Sequence, residues 1–69
     1  MKLSARNTLQ GRIKSVKKGP ITTLVVLEIA PGVDIVAVIT SDGAGSLKLK
    51  KGQHAYAIVK ASNVIIGVD

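Results

Sequence analysis

A chain of 69 residues has room for one domain and a small core. The absence of Cys excludes disulfides and thiolate-held zinc or iron–sulfur centres, and a single His, His54, falls short of a transition-metal site. Ten Lys and Arg against four acids give a net charge of +6. That charge draws an anion, whether nucleic acid, acidic lipid, acidic protein or small oxyanion, unless the lysines serve solubility alone.

Nine Val and eight Ile, with no Phe or Trp, favour strands over helices, because branching at Cβ restricts a side chain in a helix and fits it to a pleated sheet. Residues Met1–Asn7 lack the apolar stretch of a signal peptide, and no run is long enough for a membrane span. The expectation is a complete cytoplasmic protein of one domain, residues 1–69. Thr8 to Lys17 reads as the first strand, anchored by Leu9, Ile13 and Val16, with a bulge at Gly11. After the turn Lys17-Lys18-Gly19-Pro20 comes a second strand, Ile21 to Ala30. Pro31-Gly32 turns the chain into a third, Val33 to Thr40. Ser41 to Leu47 predicts a short helix capped by Thr40 or Ser41 and weakened by two glycines. A basic turn, Lys48 to Gln53, leads to a fourth strand, His54 to Lys60, and Ser62 to Val68 reads as a fifth. The pattern predicts an all-β fold: a five-stranded barrel like the oligonucleotide/oligosaccharide-binding (OB) barrels, with one short helix between strands 3 and 4.

Strands two and three are apolar on both faces. Ile21, Val25, Leu27 and Ile29 alternate with Leu24, Val26 and Ala30. Val33, Ile35, Ala37 and Ile39 alternate with Val36 and Val38. One face fills the barrel and the other requires a cover. A second copy of the chain is the simplest cover, so a homo-oligomer is expected. It also supplies the buried area that a core of this size lacks.

Catalytic machinery is thin. Glu28, Asp34, Asp42 and Asp69 form no acid/base pair by spacing, His54 has no triad or metal motif around it, and there is no glycine-rich nucleotide loop. The chain reads as a binding module, not an enzyme. Two polar clusters carry hydrogen-bond donors and no carboxylate: Ser4-Ala5-Arg6-Asn7, and Lys60-Ala61-Ser62-Asn63. Ordinary turns use the same residue types, so spacing alone leaves both readings open.

Ser4-Ala5-Arg6-Asn7 with Leu9, Gly11 and Lys17-Lys18-Gly19, the strand Val25-Val26-Leu27-Glu28-Ile29, the turn Lys48 to Gly52, and Val59-Lys60-Ala61-Ser62-Asn63-Val64 together resemble the molbindin (Mop, molybdenum-pterin-binding) family over nearly the whole chain. The likeness is to its free-standing form. It implies an OB-like barrel assembled as a hexamer, a trimer of dimers, with molybdate or tungstate held at subunit interfaces for storage and homeostasis, and no organic cofactor. By position it implies oxyanion binding at Ser4, Ala5, Arg6 and Asn7 with Lys60, Ala61 and Ser62. For the family's second class of interface site the positions offered are Lys18, Gly19, Pro20, Ile21, Thr40 and Ser41. Gly43-Ala44-Gly45 departs from the expected helix formers.

The chemistry agrees with the donor clusters. Molybdate at neutral pH is a dianion without a proton, so its host needs donors only, and a buried acceptor facing it is unfavourable. A nucleic-acid barrel is the competing reading. Such barrels stack bases on aromatic side chains, and Tyr56 is the only aromatic residue in this chain apart from the His54 imidazole.

Overall fold

The computed structural model describes residues 7–69. Four strands, β1 (Asn7–Lys18), β2 (Thr22–Ala30), β3 (Val33–Thr40) and β4 (His54–Val59), form one antiparallel sheet in the order β3-β2-β1-β4. A helix, α1 (Ser41–Leu47), links β3 to β4, and a single 3-10 turn, Ala61–Asn63, follows β4.

β1 is the spine. Its first half, Asn7 to Arg12, pairs with β4, and from Arg12 to Lys18 it pairs with β2. The sheet therefore curls, and Gly11 sits at the change of partner. A Cβ there would lie 2.2 Å from the Glu28 carbonyl oxygen, so only glycine admits this approach of β2. The bulge expected at Gly11 lies instead at Lys14, between the pairs Ile13↔Leu27 and Ser15↔Val26. One extra residue there turns both Ile13 and Val16 inward, although they are three positions apart.

Ile13, Val25 and Leu27 form the buried core, with Val16, Ile29, Ile39, Leu49, Ala55 and Ala57 packed around it. The alternation in β2 and β3 is as expected for Val25, Leu27, Ile35 and Ile39. Ile21 differs: it precedes β2 and is exposed, and the inward position at that end belongs to Thr23, which is 0% exposed. Val33, placed inward by its spacing, is also exposed, because the register slips between Glu28 and Ala30. On the outer face Leu24 pairs with Val38 and Val26 with Val36, and Leu24, Val36 and Val38 face solvent in the single chain.

Helix α1 forms despite Gly43 and Gly45. The Gly43 amide donates to Thr40 Oγ1 (3.0 Å), and Lys48 ends the helix in the left-handed conformation with its amide turned back to the Ala44 and Gly45 carbonyls. Ala44 is buried against the barrel.

The fifth strand is absent among the described residues. Ser62 and Asn63 lie in the 3-10 turn, and residues 64–69 join no strand pairing among the described residues. Ile65 and Val68 are each 92% exposed. β-branched content sets the backbone preference of this segment, yet a strand needs a partner edge, and the turn carries the segment away from the edges of its own sheet. β3 and β4 are the outer strands of the sheet among the described residues. The space between them is a groove of about 360 Å³ whose lining includes Ile39, Leu47, Leu49, Tyr56 and Ile58.

Candidate functional site

The pairing of β1 with β4 builds the candidate site. Asn7 lies opposite Val59, and Asn7 Nδ2 donates to the Val59 carbonyl at 3.2 Å. Val59 is followed at once by Lys60, Ala61 and Ser62. The start of β1 and the donors after β4 are thus brought to one corner of the sheet. Ser4, Ala5 and Arg6 lie outside the described residues. One Asn7 N–H is committed to Val59, leaving its second amide proton for other partners.

Lys60 is extended and exposed, and among the described residues it enters no ion pair. It precedes the turn without capping it: no side-chain oxygen accepts from the turn's first amides, while Asn63 N–H donates to the Lys60 carbonyl (2.9 Å) and Val64 N–H to that of Ala61 (3.3 Å). The backbone amides of Ala61 and Ser62 come first in the turn and have no partner within it. An ammonium, a hydroxyl and two N–H groups therefore fall within three consecutive residues. This donor set suits a deprotonated oxyanion, which accepts hydrogen bonds and donates none.

Around the positions offered for a second site, the backbone is closely tied. Ser41 N–H donates to the Ile21 carbonyl (2.8 Å), and Ser41 Oγ donates to the Gly19 carbonyl (2.7 Å). Since the one Ser41 hydroxyl proton is spent on Gly19, the buried Thr23 Oγ1, 2.9 Å away, is the donor to Ser41 Oγ. Both Ser41 donors are engaged in holding the β1–β2 turn to the start of α1. Thr40 Oγ1 accepts from Gly43 and keeps its own proton. Lys18 and Gly19 line a shallow depression of about 320 Å³ with Lys17, Thr22, Leu24 and Val38. Of the six positions, Lys18 and Thr40 keep side-chain donors that these bonds do not use. The role of Thr23 was hidden in the sequence, where a Thr in an apolar strand reads as neutral filler.

No group of three or more His, Cys, Asp or Glu gathers among the described residues. Asp34 takes the Lys14 ammonium at 3.0 Å, and this hydrogen bond and the Asp34 charge hold the Lys14 pKa above its ordinary value. His54 stacks edge-on against Tyr56, with ring centroids 5.2 Å apart, at the groove rather than at the donor corner.

The TOBE domain model matches residues 3–66. Molybdenum-pterin-binding protein 1 of Clostridium pasteurianum is 44% identical over 66 residues, 96% of this chain and 97% of that protein. The chain belongs to the molybdenum-pterin-binding protein family. A molybdate binding protein from Sporomusa ovata has the same fold, with a TM-score of 0.92 at 34% identity, over 99% of this chain and 100% of that one. The cytoplasmic molybdate-binding protein ModG, solved with molybdate bound, gives a TM-score of 0.94 at 40% identity over the whole of this chain, which spans 49% of ModG. Molybdenum transport protein ModE of Herbaspirillum seropedicae is 44% identical over 69 residues, and there the chain spans 26% of the relative's length. Membership extends over nearly the full length of the short relatives and over one part of the long ones. No helix among the described residues is long and apolar enough to cross a membrane.

Proposed function

We propose that this chain binds molybdate or tungstate as intact oxyanions at the interfaces of a homo-oligomer, a hexamer built as a trimer of dimers, and so stores and buffers the metal in the cytoplasm. The observation that carries this reading is the corner closed by Asn7 and Val59, where Lys60, the uncapped amides of Ala61 and Ser62, and the Ser62 hydroxyl offer donors with no carboxylate among them. Ser4, Ala5 and Arg6 complete the site together with Asn7, and a neighbouring subunit closes it. The solved relatives that bind molybdate support the ligand. Exposed apolar residues on the outer face of β2 and β3 support the assembly, since a core of three buried large side chains leaves a lone chain marginal. No oxygen of the anion is exchanged and no bond is made or broken, so the protein acts as a host and not as an enzyme. Thr40 and Lys18 are the positions we retain for a second site. With Tyr56 the only Tyr, Phe or Trp in the chain, nucleic acid has too few rings on which to stack successive bases.

Isothermal titration with molybdate, tungstate and phosphate tests the reading, with native mass spectrometry of the same samples. Molybdate and tungstate bind to a species several times the 7.2 kDa of one chain, and phosphate binds weakly or not at all. Equal affinity for phosphate contradicts a donor-only site. Tight binding to a lone chain contradicts an interface.

A further inference from the structure

Asp42 is the one Asp or Asn in the sequence that is followed by glycine; Asn7, Asp34 and Asn63 precede Thr8, Ile35 and Val64, each branched at Cβ. A neighbour without a side chain leaves its backbone nitrogen free to approach the carboxyl carbon before it, whereas a branched neighbour shields it. Asp42 is exposed and lies in the first turn of α1. The helix is what restrains this pair. Helical backbone turns the Gly43 nitrogen away from the Asp42 carboxyl carbon, and the Gly43 N–H is committed to Thr40 Oγ1 at 3.0 Å. That restraint is weak. α1 has seven residues, two of them glycine, and Ala44 is its one buried residue. It ends on Lys48 in the left-handed conformation (φ 52°), which a residue with a Cβ adopts at a cost. A short helix held by one buried side chain opens locally far more often than the sheet beneath it.

We propose that Asp42–Gly43 is a site of spontaneous isoaspartate formation, gated by opening of the first turn of α1. When the Thr40 cap lets go, the Gly43 nitrogen attacks Cγ of the uncharged Asp42 carboxyl. The N–Cγ bond forms, the Cγ–OH bond breaks, and the hydroxyl leaves as water with the amide proton. The intermediate is a succinimide ring, and water adds back at one of its two carbonyls. Addition at Cγ restores aspartate. Addition at the main-chain carbonyl carbon breaks its bond to the Gly43 nitrogen and leaves the chain running through Cβ and Cγ. Water is the only co-reactant, and the mass of the final product is unchanged. The main chain is then longer by one atom in the first turn of α1, so Thr40 no longer faces the Gly43 amide. Ser41 sits in the same turn, where its N–H donates to the Ile21 carbonyl and its hydroxyl to that of Gly19. The reaction thus converts a transient opening into a lasting loosening between α1 and the β1–β2 turn. It needs no bound anion, so it is independent of the function proposed for the donor corner.

The full chain is held at physiological temperature and mildly acidic pH, then digested with trypsin. Cleavage after Lys18 and Lys48 releases residues 19–48, which carry both Asp34 and Asp42. Electron-transfer fragmentation, which splits isoaspartate between Cα and Cβ, locates the product; it is expected at Asp42 and not at Asp34. The chain unfolded in guanidinium gives the ungated rate, and the native chain reacts more slowly. Loss of an N-cap shifts helix opening by a factor of about two to thirty, so Thr40→Val speeds the reaction by that factor, while Thr40→Ser, which keeps the oxygen, stays near the parent. Gly45→Ala meets nothing within 4 Å and stiffens the helix without touching the reacting pair. It slows the reaction about twofold to fivefold. Isoaspartate no faster at Asp42 than at Asp34 overturns the site. A native rate equal to that in guanidinium, or a Gly45→Ala rate equal to the parent's, overturns the gate. Circular dichroism checks each variant, and if Thr40→Val does not fold, Gly45→Ala decides alone.

Discussion

Asn7 and Val59, 52 positions apart, are joined by a hydrogen bond from the Asn7 amide to the Val59 carbonyl. This bond pins the first residue of β1 to the last of β4 and fixes where Lys60 begins. Asn7→Ala removes one partly buried bond, a loss of roughly 1 kcal/mol. For a domain of this size that lowers the melting temperature by about 4–8 °C, readable by circular dichroism. Anion affinity falls with it, since the corner loosens; an unchanged melting temperature shows that the bond does not hold the corner.

Two glycines separate close approach from mere flexibility. Gly11→Ala drives a Cβ into the backbone of Glu28, which has no side-chain freedom with which to yield, and costs about 1–3 kcal/mol. Gly45→Ala meets nothing within 4 Å and removes a flexible residue from the interior of α1, a gain of about 0.5–1 kcal/mol. Denaturant titration of the pair should therefore give midpoints displaced in opposite directions.

Thr23→Val keeps the volume and deletes the hydroxyl that donates to Ser41, leaving a partly buried acceptor unpaired at a cost of roughly 1 kcal/mol or more. Thr23→Ser keeps the donor and removes only a methyl. If hydrogen bonding is what matters at this buried position, Thr23→Ser lies closer to the parent in denaturant midpoint than Thr23→Val.

The Lys14–Asp34 pair sets a dependence on alkaline pH. Asp34 raises the Lys14 pKa above 10.5, so the folded state holds the proton more tightly than the unfolded one. The stabilisation is complete below 10.5 and is lost as pH rises through the raised value. Thermal denaturation from pH 9 upward should show the parent losing this advantage over Asp34→Asn, and a constant difference between the two contradicts the pairing.

Much of this architecture is legible in the residues. Val25, Leu27, Ile35 and Ile39 alternate as a core face, and the short helix after Thr40 follows from a capping residue. The bulge was misplaced because Gly11 signals irregular backbone without saying which kind; the close approach of Glu28 depends on a strand far away in sequence. The fifth strand was misplaced for a related reason. Val64 to Val68 has strand composition, but composition does not say which edge the strand joins. The Thr23 hydroxyl acquires a partner only when β2 meets Ser41, which no local pattern shows. Of the candidate oxyanion site, Lys60, Ala61 and Ser62 stand out as donors without acids. Their nearness to Asn7 is a matter of register, which no local pattern encodes.

In the proposed site Lys60 gives its charge directly to a bound oxyanion. Molybdate titration of Lys60→Ala beside Lys50→Ala, both checked for folding and for assembly, tests it most directly. A charged hydrogen bond contributes roughly 1.5–3 kcal/mol, so Lys60→Ala should weaken binding about tenfold to a hundredfold. Lys50, exposed in the turn before β4, should change affinity little. A Lys60→Ala protein that assembles and binds molybdate as the parent does contradicts the account.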